Sequence, residues 1–120
     1  MGKIYLDNAA TTQVRERVLK KVEKYFSEEY GNASSLHEMG EKAREVIENS
    51  RKILARELNC KAEEIYFTSG GTESDNLAIQ GLARANKKKR IVISAIEHAA
   101  VEKTCAYLKS GGFEIVKVHV

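Results

Sequence analysis

The sequence predicts an α/β fold, with amphipathic N-terminal helices followed by a β-α-β-α-β succession that starts a mostly parallel sheet. Three observations predict it. Apolar residues recur at helical spacing through roughly the first half of the chain. Compact β-prone runs then appear at residues 65–68, 90–94 and 113–120, separated by stretches with helical periodicity. Glycine pairs stand at 70–71 and 111–112, where a chain moving between strand and helix must turn tightly.

Taken in order, Ile4-Tyr5-Leu6 is a short apolar stretch halted by Asp7-Asn8, a turn-favouring pair. Val14, Val18, Val22, Tyr25 and Phe26 form one helical face, with Thr12 as the expected N-cap. The loop Tyr30-Gly31-Asn32-Ala33-Ser34-Ser35 interrupts the pattern. Ser35 and Glu38 have capping-box spacing, which predicts a second helix with Ala43, Val46, Ile47, Leu54 and Leu58 on its apolar face. Ile65-Tyr66-Phe67-Thr68 reads as the first strand, and Ser69-Gly70-Gly71-Thr72 as the turn into a helix that packs through Leu77, Ala78, Gly81, Leu82 and Ala85. Arg90-Ile91-Val92-Ile93-Ser94 is the second strand. A helix from Ala99 to about Ser110 follows, packing through Val101, Cys105 and Leu108, and residues 113–120 form the third strand. A parallel sheet ending on Val118-His119-Val120 would leave long unpaired edges and bare apolar faces. A truncated domain is therefore expected on organisation alone.

Composition limits the function classes. The 120 residues carry 20 basic and 17 acidic side chains, a mild net charge of +3. The only dense basic run, Lys87-Lys88-Lys89-Arg90, fits the end of a helix, where cations complement the macrodipole, better than a nucleic-acid footprint. No window approaches the roughly 20 consecutive apolar residues of a membrane span. With no apolar signal region and only Cys60 and Cys105, far apart, the expected setting is cytoplasmic, without nucleic-acid or membrane partners and without a metal site.

Two segments could carry chemistry. In Phe67-Thr68-Ser69-Gly70-Gly71-Thr72-Glu73, paired glycines let backbone amides approach a ligand, and the positive end of the next helix favours a phosphate. Thr72 could add a hydroxyl to that anion or simply cap the helix. The spacing is neither that of a Walker loop nor that of a dinucleotide fingerprint, so a plain strand-to-helix turn remains the alternative. His98 follows the second strand immediately before a helix, as a capping residue or as an active-site ring. Ligands of parallel sheets gather outside the carboxyl ends of the strands, and both segments occupy such ends. Cys105, on an apolar stripe, reads as a buried inert thiol. Cys60, His37 and His119 acquire no role from local pattern.

Together these motifs resemble those of the class V aminotransferase-like cysteine desulfurases. Tyr5-Leu6-Asp7-Asn8-Ala9-Ala10-Thr11-Thr12 is similar to that family's opening signature. Tyr30-Gly31-Asn32 with Ser34-Ser35, His37 and Gly40 resembles the next block. Residues 67–79, beginning Phe67-Thr68-Ser69-Gly70-Gly71-Thr72-Glu73-Ser74, resemble the cofactor-phosphate loop and helix, and Glu97-His98 with Ala100-Val101 resembles the histidine segment. The matches run in order over nearly the whole chain.

The resemblance implies the mostly parallel sheet of a fold-type I pyridoxal 5'-phosphate (PLP)-dependent transferase large domain. Residues 1–15 would be an N-terminal arm, and residues 16–120 the first part of that PLP-binding domain. By carry-over, the Gly71 backbone and the Thr72 backbone and hydroxyl would hold the cofactor phosphate. His98 would stack on the pyridine ring and serve as the catalytic residue, with a part in proton transfers. The implied reaction takes L-cysteine to L-alanine and an enzyme persulfide. It implies a homodimer and an iron–sulfur scaffold or other protein as sulfur acceptor. The family's Schiff-base lysine, carboxylate-binding arginine and nucleophilic cysteine have no match within residues 1–120, so the chain alone is expected to be inactive. A related lyase, such as a selenocysteine lyase, or a non-catalytic partner-binding module are the alternatives.

Overall fold

The computed structural model describes residues 4–120, which divide at Ile65/Tyr66 into two compact units. In the first, α1 spans Glu16–Ser27 and α2 spans Glu38–Glu57, with a 3-10 turn at Ala62–Glu64. The N-cap of α1 is Arg15 and not Thr12. Nor does the expected Ser35–Glu38 capping box form: α2 begins at Glu38 behind His37, which makes no side-chain cap. Ser35 is used earlier, where its amide donates to the Asn32 carbonyl at 2.9 Å to close a turn. That turn is reinforced by Asn32 Oδ1, which accepts the Ser34 amide. An Asn side chain bonding its own backbone two residues on is a local alternative to capping.

Two glycines hold this loop against α2. A Cβ on Gly40 would lie 2.4 Å from the Ser35 carbonyl oxygen and 2.8 Å from that of Asn32. One on Gly31 would lie 2.4 Å from the Met39 carbonyl oxygen. The far end of α2 closes by a left-handed cap. Asn59 has φ 52°, its amide donates to the Arg56 carbonyl, and the Cys60 amide donates to that of Ala55. Cys60 therefore belongs to a helix terminator. Burial in this unit is slight. Gly40 and Ala55 are the buried residues of α2, whereas α1 buries none and leaves Phe26 81 % exposed.

The second unit contains α3 (Gly71–Ala85), β1 (Arg90–Ser94), α4 (Ala99–Ser110) and β2 (Glu114–Val118). The two strands pair in parallel, Arg90 opposite Glu114 through Ser94 opposite Val118. The strand expected at residues 65–68 does not form. Ile65 has extended dihedrals, but the sheet of the described residues consists of β1 and β2 alone. A strand is defined by its neighbour, and β-propensity alone cannot supply one.

Ala83, Leu108 and Phe113 make the core, with Ile79, Ile91 and Ile115 packed against it. Thus α3 buries its Ile79/Ala83 edge and not the expected Leu77/Leu82 side, which is exposed. The helix α4 packs as its pattern predicts, burying Cys105 and Leu108 and half-burying Val101. It ends at the glycine pair in a Schellman motif. Gly112 adopts φ 89°, its amide reaches the Lys109 carbonyl, and the Phe113 amide reaches that of Leu108. The same two residues, Leu108 and Phe113, meet in the core, so the cap delivers the chain into β2 already packed. The reverse face of the sheet, with Val92 and Val118, is exposed.

Half of the basic run is structural. Lys89 Nζ lies 4.2 Å from the centroid of the Phe113 ring, and Arg90 pairs with Glu114 across the strands at 2.7 Å. Among the described residues, no helix is long and apolar enough to cross a membrane.

Candidate functional site

The turn Ser69-Gly70-Gly71 places the start of α3 in the open. Gly70 is the N-cap residue and, lacking a side chain, caps nothing. The first α3 amide to find a carbonyl is that of Ser74, which donates to Gly70 O at 3.1 Å. The amides of Gly71, Thr72 and Glu73 precede it at the positive end of the helix, which is the arrangement that receives an anion. An added Cβ on Gly70 or Gly71 would meet nothing within 4 Å, and Gly71, Thr72 and Glu73 are exposed.

Glu73 would repel an anion if its carboxylate faced the same way, but it is held elsewhere. Its Oε2 accepts the Ser69 hydroxyl at 2.6 Å and the Ser69 amide at 2.7 Å. These two bonds, the hydroxyl's foremost, lower the carboxyl pKa below its ordinary 4.5. The linkage has a definite sign. A carboxylate with a depressed folded-state pKa stabilises the fold above its unfolded pKa, and that contribution is lost as pH falls through the folded value. Wild type should therefore melt above a Glu73→Gln variant near neutral pH, with the gap closing in acid below 4.5. Equal gaps at both pH values in thermal melts would rule out the charge as the cause.

Sequence reasoning missed Glu73, although an acidic residue in the first turn behind a glycine cap is a usable signal. It also missed a polar ladder along α3. Asn76 Nδ2 donates to the Thr72 carbonyl and Gln80 Nε2 to Asn76 Oδ1, both at 2.9 Å. Arg84 donates to Gln80 Oε1 at 3.2 Å and lies 3.4 Å from the Tyr107 hydroxyl of α4. The i, i+4 spacing of Thr72, Asn76, Gln80 and Arg84 is legible afterwards as one helix face.

His98 lies four residues past β1 and is the N-cap of α4, with Nδ1 accepting the Ala100 amide at 3.1 Å. Capping and site membership were alternatives for this residue from sequence, and the capping bond is present. Thr72 and His98 line one cleft of about 330 Å³ between the starts of α3 and α4, together with Asn76, Lys103, Thr104 and Tyr107. Cys105, in the same unit, does not line this cleft. Cys105 is 1 % exposed, and burial, with the Glu97 carboxylate acting in the same direction, raises its thiol pKa, so it is held as an inert thiol.

Comparison with known proteins shows the family of the chain. The profile of the aminotransferase class-V family matches residues 4–120. A cysteine desulfurase IscS of Methanosarcina thermophila is 49 % identical over 119 residues, covering 98 % of this chain and 30 % of that protein. A putative cysteine desulfurase IscS 1 of Bacillus subtilis (strain 168) is 45 % identical over 122 residues, covering all of this chain and 32 % of the relative. Among solved structures, a NifS-like protein superposes with a TM-score of 0.86 at 39 % identity, covering 92 % of this chain and 31 % of that one. SspA in complex with cysteine gives 0.84 at 40 % identity, covering 92 % and 32 %. The chain thus spans about 30 % of the length of the curated relatives it matches. With a family match from Ile4 to Val120, and helix starts that bring Thr72 and His98 to one cleft, the chain belongs to the aminotransferase class-V family.

Proposed function

We propose that this chain is the amino-terminal part of a PLP-dependent cysteine desulfurase, which converts L-cysteine to L-alanine and leaves the sulfur as an enzyme-bound persulfide. The protein works as a cytoplasmic homodimer and passes sulfur to an iron–sulfur scaffold or another acceptor protein. The observation that best supports the reading is the shared cleft of Thr72 and His98, beside the uncapped amides of Gly71 and Thr72. The names of the relatives, and a neighbour solved with cysteine, point the same way.

The residues present fit the cofactor. The open amides and the Thr72 hydroxyl form a donor set for a phosphate, and an aromatic ring stands at the neighbouring helix start. Gly71 and Thr72 would hold the phosphate, and His98 would lie against the pyridine ring. When bound, PLP supplies an electron sink for chemistry at the substrate's α-carbon. This chain's own residues supply grip and orientation. The Ser69–Glu73 bonds keep a carboxylate occupied at the loop, and the Asn76–Gln80–Arg84 ladder ties α3 to α4. Cys105, 1 % exposed, is not placed to attack sulfur.

The test is made on the full-length protein. Thr72→Val keeps the shape and removes one donor to a charged acceptor, a bond of about 1.5–3 kcal/mol. PLP should then dissociate roughly tenfold or more readily, read by titrating apoenzyme and following visible absorption. Wild-type enzyme should release alanine and acceptor-bound sulfur in equal amounts. Unchanged PLP affinity in Thr72→Val, or no turnover of cysteine, would sink the assignment.

A further inference from the structure

The polar ladder of α3 has a direction, and Arg84 sets it, because a guanidinium carries five N–H donors and no acceptor. Bonded to Arg84, Gln80 must offer its Oε1, which leaves Nε2 to donate to Asn76 Oδ1. Asn76 is then left with Nδ2, which donates to the Thr72 carbonyl, a group that can only accept. The two ends of the ladder thus demand the same orientation of both amides, and a flip of either would set like atoms against each other. Arg84 is itself steadied by α4, 3.4 Å from the Tyr107 hydroxyl and 6.0 Å from the centroid of its ring. We propose that Asn76 is a positioning residue for the phosphate site. Held by Gln80 and Arg84, it fixes and polarises the Thr72–Glu73 peptide, and so makes the Glu73 amide a third phosphate donor beside those of Gly71 and Thr72. This rests on the reading that the start of α3 holds the phosphate of PLP.

The Thr72 carbonyl and the Glu73 amide belong to one planar peptide group. A hydrogen bond donated to the oxygen draws electron density from the nitrogen and strengthens its N–H as a donor, as linked hydrogen bonds do. The same bond restrains the rotation that would tilt the peptide away from an anion. Ser74 is the first α3 amide to find a carbonyl, and the Glu73 carboxylate is turned to Ser69, so the Glu73 N–H stands ready at the positive end of the helix. Asn76 lines the cleft together with Thr72, which places its bond at the site. Helix stability gives no reason for asparagine at this position, since Ala, Gln and Glu are all better formers of a helix interior. A side chain with a donor and an acceptor on a short stem is what the ladder requires there.

The test titrates full-length apoenzyme with PLP. Asn76→Ala removes the bond to the Thr72 carbonyl and should weaken PLP binding about threefold, with a shift in the phosphorus-31 resonance of the bound cofactor. Gln80→Glu is the sharper variant. Its carboxylate keeps a partner for Arg84 four residues on, which supports the helix, but offers no N–H to Asn76 Oδ1. Asn76 then turns its Nδ2 to the carboxylate and its oxygen toward the Thr72 carbonyl. PLP binding should fall about threefold or more, while the apoenzyme melts no lower than wild type. Plain charge repulsion fades with salt, so the affinity ratio to wild type should persist at about 1 M, where the Debye length is about 3 Å. Wild-type affinity in Gln80→Glu, a ratio that vanishes in salt, or a loss of affinity only alongside a lowered apoenzyme melting temperature each overturns the proposal. Thr72→Val separates the two readings. If it binds PLP weakly while both ladder variants bind normally, the role of the ladder alone fails. If all three bind normally, the phosphate site itself is lost.

Discussion

Replacing Gly40 with alanine is expected to cost about 3 kcal/mol, the upper end of what overpacking a tight site usually costs. The added carbon would sit 2.4 Å from the Ser35 carbonyl oxygen, 2.7 Å from Ser35 Cβ and 2.8 Å from the Asn32 carbonyl oxygen. Two of these three atoms are backbone, so no rotamer change relieves the contact. The backbone itself is fixed, because the turn is closed by the Ser35 amide and the Ala33 carbonyl accepts from Arg44 of α2. Gly81 is the control. A Cβ there meets nothing within 4 Å in the middle of α3, so Gly81→Ala should stabilise by about 0.5–1 kcal/mol through helix propensity. The same chemical change thus has opposite signs at two positions. Urea midpoints that move in the same direction for both variants would contradict the packing account.

That result would reassign part of the family resemblance. The block running from Tyr30 through Gly40 resembles, as a string, the family's second block. In the structure, Gly31 and Gly40 are where a loop and a helix start come within contact distance, and Asn32 and Ser35 close the turn between them. Each of these four residues has a packing or turn-forming reason to be what it is, with no ligand required.

Elements whose signals are local were legible from sequence. Arg90–Ser94 reads as a strand because five residues of β-prone sequence follow a charged helix end, and Ala99–Ser110 ends where a glycine pair supplies the left-handed turn. What depends on distant partners was not. Residues 65–68 have a strand's composition, yet the sheet of the described residues does not include them. The buried edge of α3 is chosen by Leu108 and Phe113, which lie some 30 residues further along the chain, and a periodic pattern cannot name them. Caps failed for a different reason. Thr12 and Ser35 are good capping residues, but helix starts are set by the competing turns around them, and Ser35 was claimed by Asn32. At the site, Thr72 and His98 line one cleft, but the run before the glycine turn is not a strand of the sheet, so the shared strand-end edge expected from topology is not what joins them. The orientation of Glu73 and the capping bond of His98 depend on individual hydrogen bonds that no spacing encodes.

Leu108→Ala should destabilise the second unit by about 2–5 kcal/mol, the range for emptying a well-packed leucine site. Leu108 is 3 % exposed and shares the core with Ala83 and Phe113, beneath the sheet residues Ile91 and Ile115. Its carbonyl also accepts the Phe113 amide that closes the Schellman motif, so the side chain and backbone of one residue fasten the end of α4 to the start of β2. Truncation leaves the backbone bond and removes the packing, which isolates the apolar contribution. Leu82→Ala, at a position 67 % exposed on α3, should lie within about 0.5 kcal/mol of wild type. The functional consequence follows from the geometry of α4, which carries Leu108 near its C-terminus and His98 at its N-cap. A helix loosened at the core end holds its cap residue less firmly, so Leu108→Ala in the full-length enzyme should release PLP faster while leaving every residue of the cleft intact. PLP retention equal to wild type, measured where the variant is still folded, would show that the His98 end of α4 is fixed independently of this core.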